Sequence, residues 1–394
     1  MTQIFISYRQ SDSMDNVGRI HDRLVSQFGR DQIFRDSFSI PAGVHFVDFL
    51  KEKLRNSSLV LVVIGKQWLK AKDNNGNVRI FNNEDIVRAE ISIALENNIP
   101  IIPLLVQNAE MPKESELPEN ISQLTYQNGI RIRQDPDFDR DIENLISTAK
   151  NILQLANFKF SQECTVNGNI IKEYTHIPTG IEFVQIPSGR FAMGSSTKDD
   201  MAFDSEKYRR EVTIDSFLMS KYAITQDIWK KIMGKNPSSF QSDKAPVEQV
   251  SWEMSQEFCS NTGLKLPSET QWEYACRANT KDRFYWGEQI NSDYCWYKDN
   301  SQERLQEVGQ KLPNNFGLHD MLGNLWEWCE DSWTKNYEEC PTDGSPYRDS
   351  TKNSKVLRGG SFWNSAKRCR CSSRGNEKVN TLSNRIGFRV IFSC

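Results

Sequence analysis

The sequence predicts two domains of different class. Residues 1–155 read as an α/β unit with a parallel, doubly wound sheet, residues 156–172 as a polar linker, and residues 173–394 as an irregular α+β unit. Three observations carry this. A chain of 394 residues exceeds one ordinary core and fits two of common size. Its first part alternates short β-rich apolar runs with helical periodicity, the pattern of strands covered on both faces by crossover helices. Beyond about residue 160 the alternation stops. Nine of the ten tryptophans lie there among Gly, Asn and short strands, so aromatics are expected to build that core.

In chain order, QIFIS, QIFR, LVLVVIG, IPIIPLLV and IRIR read as strands, and Asn16–Phe28, Phe46–Asn56, Glu84–Glu96 and Phe138–Leu155 as helices. In the third helix Ile86, Val87, Ile91, Ala94 and Leu95 mark the buried side, and Asn97-Asn98 supplies the stop. Doubly wound sheets bind ligands beyond the carboxyl ends of their strands. That edge gathers Ser7, Tyr8 and Arg9 after the first strand, Arg35 and Asp36 after the second, and Gly65 and Trp68 after the third. The loop Ile40-Pro41-Ala42-Gly43 follows Asp36; Pro41 stiffens it and Gly43 can take φ > 0. Glu90 lies on the next helix, where periodicity alone makes it a solvated surface residue. In the second half, helices are expected at Gln226–Met233, Trp252–Asn261 and, after the Pro267-Ser268 start signal, Glu269–Arg277.

Composition excludes several classes. Lys+Arg 49 against Asp+Glu 52 leaves a net charge of -3, too small a field to attract nucleic acid or an anionic membrane surface. The longest apolar runs, Leu59–Ile64 and Ile99–Val106, are strand-sized, and no signal-peptide pattern opens the chain, so a cytoplasmic protein is expected. Nine cysteines, scattered and all beyond residue 163, are no disulfide framework, and the paired Cys-x-x-Cys spacing of zinc sites is absent. Of the histidines, His21 is expected on a helix surface, and His45 adjoins the Gly43 loop.

FISYRQSDS, IFRDSFSIPAGVHF, LVVIGKQWL and EDIVRAEISIALENNIPIIPLLV resemble, in order, the landmarks of a bacterial TIR domain. The resemblance implies a flavodoxin-like fold. In TIR domains that hydrolyse NAD⁺, a glutamate on this helix is the residue the chemistry depends on, and Glu90 is the matching position. Cleaving the ribose–nicotinamide bond builds oxocarbenium-like charge, which a carboxylate stabilises while holding the ribose hydroxyls. Nicotinamide leaves neutral, so no strong general acid is required, and NAD⁺ is substrate rather than cofactor. Tyr8, Arg9, Arg35, Asp36, Gly43 and Trp68 are the expected contacts to the dinucleotide. TIR sites are often completed by a neighbouring subunit, so self-association through this domain is expected, with the Gly43 loop crossing between copies.

FVQIPSGRFAMGSS, NPSSF, APVEQVSW, KLPSETQWEYACRA, FGLHDMLGNLWEWCEDSW, VLRGGSFW and IGFRV resemble the formylglycine-generating-enzyme (sulfatase-modifying factor) family, a variant of the C-type lectin fold. Its oxidases bind copper through two cysteines separated by four residues, as soft thiolates favour. The second matches Cys371 in Arg370-Cys371-Ser372-Ser373-Arg374, but the first falls on Ala366, which argues against an oxidase. Cys369, two residues from Cys371, would share its face on a strand without recreating that pair. The family also implies calcium near GNLWEW, held by Asp320 and Glu327 and by the carbonyls of Gly323 and Leu325. Trp252, Trp272, Trp326, Trp328 and Trp333 are expected in the core. The C-terminal stretch also resembles the variable region of proteins diversified by retroelements. Trp363, Ser365, Lys367, Arg368, Ser373, Gly375 and Glu377 would then be ligand-display positions.

Together these imply an NAD⁺ hydrolase controlled by a ligand-binding domain, in prokaryotic defence or signalling, whose unknown ligand includes proteins among its candidates. The alternatives are a non-enzymatic TIR adaptor carrying a display domain and, less favoured, a copper-dependent oxidase.

Overall fold

Alternating apolar side chains decide the N-terminal architecture. The computed structural model describes residues 3–35, 46–196, 199–207 and 209–393, with residue 3 and residues 46–50 given by backbone alone. Strands β1 (Gln3–Ser7), β2 (Ile33–Arg35), β3 (Ser57–Ile64), β4 (Ile101–Leu105) and β5 (Ile130–Arg131) form one parallel sheet in the order β2-β1-β3-β4-β5. On β3, Leu59, Leu61 and Val63 join one hydrophobic cluster, and Val60, Val62 and Ile64 join the other. Helices α1 (Gln10–Phe28) and α4 (Phe138–Leu155) send Val17, Ile20, Leu24, Ile142 and Leu145 into the first cluster. Leu54 of α2 (Phe46–Arg55) and Val87, Ile91 and Ala94 of α3 (Ile86–Glu96) pack into the second. Each such fully buried Val or Leu contributes roughly 1.5–3 kcal/mol.

Two boundaries differ from expectation. Helix α1 starts at Gln10 rather than Asn16 and breaks helical geometry at Ser13; its polar first turn carries no apolar period. Helix α3 starts at Ile86, because Asp85 serves as its N-cap.

The chain divides into Met1–Ala156 and Asn157–Cys394, so the expected linker at 156–172 is not one. Instead β6 (Phe158–Val166) and β7 (Asn169–His176) form a hairpin. Asn167 and Gly168 turn it with φ of 48° and 81°, the left-handed pair that a two-residue hairpin requires. The hairpin is one side of an antiparallel sheet completed by β8 (Glu182–Ile186), β11 (Phe217–Ser220) and β16 (Ile391–Ser393). Strands β9 (Gly189–Met193) and β10 (Arg210–Ile214) pair separately. Helices α5 (Gln226–Met233), α6 (Trp252–Thr262) and α7 (Glu269–Arg277) lie where expected, the last two capped by Ser251 and Ser268. A second sheet joins β12 (Trp326–Ser332), β13 (Ser354–Arg358), β14 (Arg374–Lys378) and β15 (Ile386–Gly387), in the order β14-β13-β12-β15.

Trp229, Trp272 and Trp328 are fully buried, as the aromatic-core reading requires. So are four arginines, and each meets a buried carboxylate: Arg358 with Glu273, Arg370 with Glu206, Arg374 with Glu269 and Arg389 with Glu327. A buried guanidinium is tolerable only with such pairing. No helix among the described residues is long and apolar enough to cross a membrane.

Candidate functional site

Glu90 sits one turn into α3, whose start is fixed by a single carboxylate. Asp85 caps the helix by accepting the Arg88 N–H at 3.0 Å, and also accepts both terminal nitrogens of Arg9 at 2.8 and 3.0 Å. Arg9 Nε donates to the carbonyl of Trp68 at 3.1 Å. Arg9 follows β1 and Trp68 follows β3, so one guanidinium fastens two strand ends to the helix that bears Glu90. Arg79 Nε adds a contact to Asp85 at 3.3 Å. At the carboxyl end of β1, the Ser7 hydroxyl donates to Glu90 Oε2 at 2.5 Å, a short charge-assisted bond. Glu90 is 2% exposed, so the surface reading of this residue is wrong.

The structure places the expected dinucleotide contacts unevenly. Tyr8, Arg9 and Trp68 are buried. Arg9 is committed to Asp85, and Trp68 packs in the second cluster with the Arg9 guanidinium 5.5 Å from its ring, so both act from behind the site. Arg35 ends β2 and is half-buried. Asp36, Gly43, the rest of the 40–43 loop and His45 lie outside the described residues. His21 lies on α1 against exposed Asp22.

Asp12 is a support the sequence reading missed. Its carboxylate accepts the N–H groups of Gly65 and Gln67 at 2.9 and 2.8 Å, closing the turn after β3. A Cβ at Gly65 would collide with that carboxylate. Gly65→Ala is therefore expected to destabilise the fold by roughly 1–3 kcal/mol through overpacking. An unchanged thermal midpoint would show that Asp12 has room to retreat.

In the C-terminal unit, a cleft of about 540 Å³ opens beside β14, with Phe203, Trp326, Trp333, Arg368, Arg374 and Arg385 in its wall. Trp326 and Trp333 are thus only partly core, contrary to expectation, whereas Trp272 and Trp328 are wholly so; Trp252 is half-buried. Of the display candidates, Ser365, Lys367 and Glu377 are exposed, Trp363 is 39% exposed, and Arg368 and Gly375 are half-buried. Ser373 is fully buried, and its carbonyl accepts from Arg358 at 2.6 Å, so it displays nothing.

The cysteines do not form a strand-borne pair. Cys369 and Cys371 lie in a turn before β14, fully buried, and face different partners. Cys371 Sγ lies 3.8 Å from Cys276 Sγ, and Cys369 and Cys295 are joined by a thiol hydrogen bond, all four being free cysteines. Burial pushes the Cys276 and Cys295 thiols well up, away from the thiolate form. Ala366 begins a short 3₁₀ turn.

At the expected calcium residues, Glu327 is already neutralised. Arg389 holds both of its oxygens at 2.7 and 2.8 Å, and the Trp272 indole N–H adds 2.7 Å. Asp320 differs: Oδ2 accepts the Gly309 N–H at 2.7 Å, while buried Oδ1 has no hydrogen-bond partner among the described residues. Burial lifts Asp320 to about 6. Gly323 sits at φ 79° against the Trp296 carbonyl, where no side chain fits. An orphaned, buried carboxylate oxygen is what a cation would take, so Asp320 is the residue that would hold calcium; Glu327 is spent on Arg389, and no cluster of three or more His, Cys, Asp or Glu side chains lies among the described residues.

Residues 171–394 match the sulfatase-modifying factor enzyme 1-like domain, more than half of the chain. The chain belongs to this family. Residues 4–146 match the TIR domain, so the family's domain is joined here to a TIR domain with its parallel sheet. Among curated relatives, the chaperone protein LppX of Paenibacillus barcinonensis is 25% identical, over 54% of this chain and 89% of its own. The mouse (Mus musculus) formylglycine-generating enzyme is 24% identical, over 53% of this chain and 74% of its own. Among solved structures, PvdO from Pseudomonas aeruginosa superposes with a TM-score of 0.52 at 22% identity, covering 60% of this chain and 99% of that one. That likeness shows the fold. Within this sulfatase-modifying-factor domain, sequence reasoning missed Phe203 and Arg385 as cleft residues; Phe203 is far upstream of the others, and no local pattern marks it.

Proposed function

We propose that the TIR domain hydrolyses NAD⁺ with Glu90 as the essential carboxylate, and that the sulfatase-modifying-factor domain binds the ligand that controls it, in prokaryotic defence or signalling. The observation that carries the reading is the Ser7–Glu90 pair, built at the carboxyl edge of a parallel sheet in a TIR domain. In the reaction the bond from ribose C1′ to the nicotinamide nitrogen breaks, and its electron pair leaves with neutral nicotinamide. Water then bonds to C1′ and gives up a proton, for which Glu90 is the acceptor. The products are ADP-ribose and nicotinamide, and the Glu90 charge stabilises the cationic sugar between the two steps.

A carboxylate 2% exposed cannot hold ribose hydroxyls until its surroundings open. This favours an activity that waits for assembly of TIR domains: the ligand must favour the assembled state over the free one by a few kcal/mol. Incubating full-length protein with NAD⁺ and quantifying nicotinamide, with Glu90→Ala alongside, tests the reading; equal release from both would sink it.

Calcium at Asp320 is part of this proposal, as a structural ion. An aspartate whose folded pKa of about 6 exceeds its unfolded value contributes stability when protonated. That contribution is full below about pH 4 and is lost as pH rises to about 6, on the order of 2–3 kcal/mol. Asp320→Asn keeps an acceptor for Gly309 and removes the charge, so it is expected to flatten this pH dependence. Calcium is expected to raise the melting temperature of the wild type at pH 7.5, and not that of Asp320→Asn. An equal calcium shift in both proteins would remove the ion from this site.

A further inference from the structure

We propose that the cleft beside β14 binds an acidic, aromatic-containing peptide segment of a protein partner, laid in extended form along that strand. This rests on the reading of the C-terminal domain as a ligand-binding domain and names the chemistry of its ligand.

Three observations point to this occupant. The first is charge. Three arginines line the cleft, Arg368, Arg374 and Arg385, against one acid, Glu377. Arg374 is spent on Glu269, at 2.6 and 2.8 Å. Arg368 and Arg385 make no ion pair among the described residues, although the chain as a whole is slightly acidic.

The second is how these two cations are held. Arg368 stacks on Phe203 with its guanidinium carbon 4.0 Å from the ring centre, and Arg385 stacks on Trp363 at 4.7 Å. A guanidinium seated over an aromatic ring is held in place without spending its N–H groups on an acid, and those groups are the fork that a carboxylate takes bidentately. One Arg368 nitrogen reaches the Arg374 carbonyl at 3.3 Å; the Arg385 guanidinium donates to no described residue. Trp326 and Trp333 add aromatic surface to the same cleft. Gly375 keeps Trp326 close: a Cβ there would meet the indole at 3.3 Å.

The third is the strand. Among the described residues β14 pairs with β13 alone and is the edge of its sheet, and its Gly375, Asn376 and Glu377 line the cleft. An edge strand offers backbone donors and acceptors to an added extended segment, and pockets beside it select alternate side chains. Free small anions would use the arginines without the strand. A volume of about 540 Å³ suits two or three side chains of such a segment.

The test uses full-length protein and a fluorescein-labelled glutamate–tyrosine copolymer followed by anisotropy, with a lysine–tyrosine copolymer and AMP as comparison ligands. The acidic copolymer is expected to bind, to weaken as salt rises, and to lose at least tenfold in affinity in Arg368→Glu/Arg385→Glu. Glu377→Lys is expected to strengthen it severalfold. Equal binding of the lysine copolymer, or an unchanged affinity in the double variant, would overturn the proposal; so would AMP binding in the cleft more tightly than the copolymer. Panning a phage-displayed random peptide library against the full chain separates this from the broader reading. Neutral or basic peptides whose binding is lost in Trp333→Ala would overturn the acidic class and leave ligand binding standing. Absence of any cleft-dependent binder would overturn both.

Discussion

Glu90→Gln is expected to reduce nicotinamide release from NAD⁺ by at least ~100-fold while leaving the fold intact, because a transition-state charge loses its counter-charge. Glutamine is nearly isosteric, and its carbonyl still accepts the Ser7 hydroxyl, so thermal stability should stay within about 1 kcal/mol of wild type. The measurement is paired: turnover by chromatography of nicotinamide and ADP-ribose, and a melting curve of the same preparation. A variant that is inactive and also unfolded would report structure rather than chemistry, and Ser7→Ala helps to separate these. It removes the 2.5 Å bond that orients the carboxylate but leaves the charge, so activity should fall less than in Glu90→Gln.

Arg9→Ala is expected to cost the N-terminal unit about 3 kcal/mol, the lower part of the range for stranding one member of a buried ion pair. Both side chains of the Arg9–Asp85 pair are 1% exposed, and among the described residues the partly exposed Arg79 would be the one cation left beside Asp85. The loss would reach the site directly, since the same guanidinium ties the turn after β3 to the start of α3. Arg9→Lys should rescue little: a single ammonium cannot reproduce the two bonds to Asp85 and the third to the Trp68 carbonyl. Chemical denaturation of the three proteins checks this. A lysine variant as stable as wild type would show that charge alone, rather than the fork geometry, holds the site.

What could be read from the sequence follows from the range of each interaction. The strands of the TIR domain and helices α4, α5 and α7 were legible because burial imposes a period on neighbouring residues. The first turn of α1 was not, since Gln10 to Asp15 carry no apolar period; Asp12 caps a turn far away in sequence. The β6–β7 hairpin hid for a related reason. Its outer strand is an edge, exposed at most positions, so Asn167-Gly168 is its one local signal, and the flanking residues read as a polar linker. Asp85 is a visible N-cap, but its second role depends on Arg9, 76 residues earlier. Glu90 was legible only through the order of the TIR landmarks; amphipathic spacing alone would have placed it in solvent, whereas it is buried against Ser7. The C-terminal cleft shows the same limit. Arg368 and Gly375 could be picked from the terminal stretch, but Ser373 turned out to face inward, and Phe203 and Arg385 arrive from separate loops.

The buried state of Glu90 makes one comparison decisive: nicotinamide release by the full-length protein at a concentration where it stays dispersed, and by the same protein clustered through a terminal affinity tag. NAD⁺ cleavage is expected to rise sharply on clustering and to disappear in Glu90→Gln under both conditions. Clustered wild-type protein that leaves NAD⁺ intact, or a Glu90→Gln variant that cleaves it as fast, would rule out Glu90-dependent hydrolysis switched on by assembly.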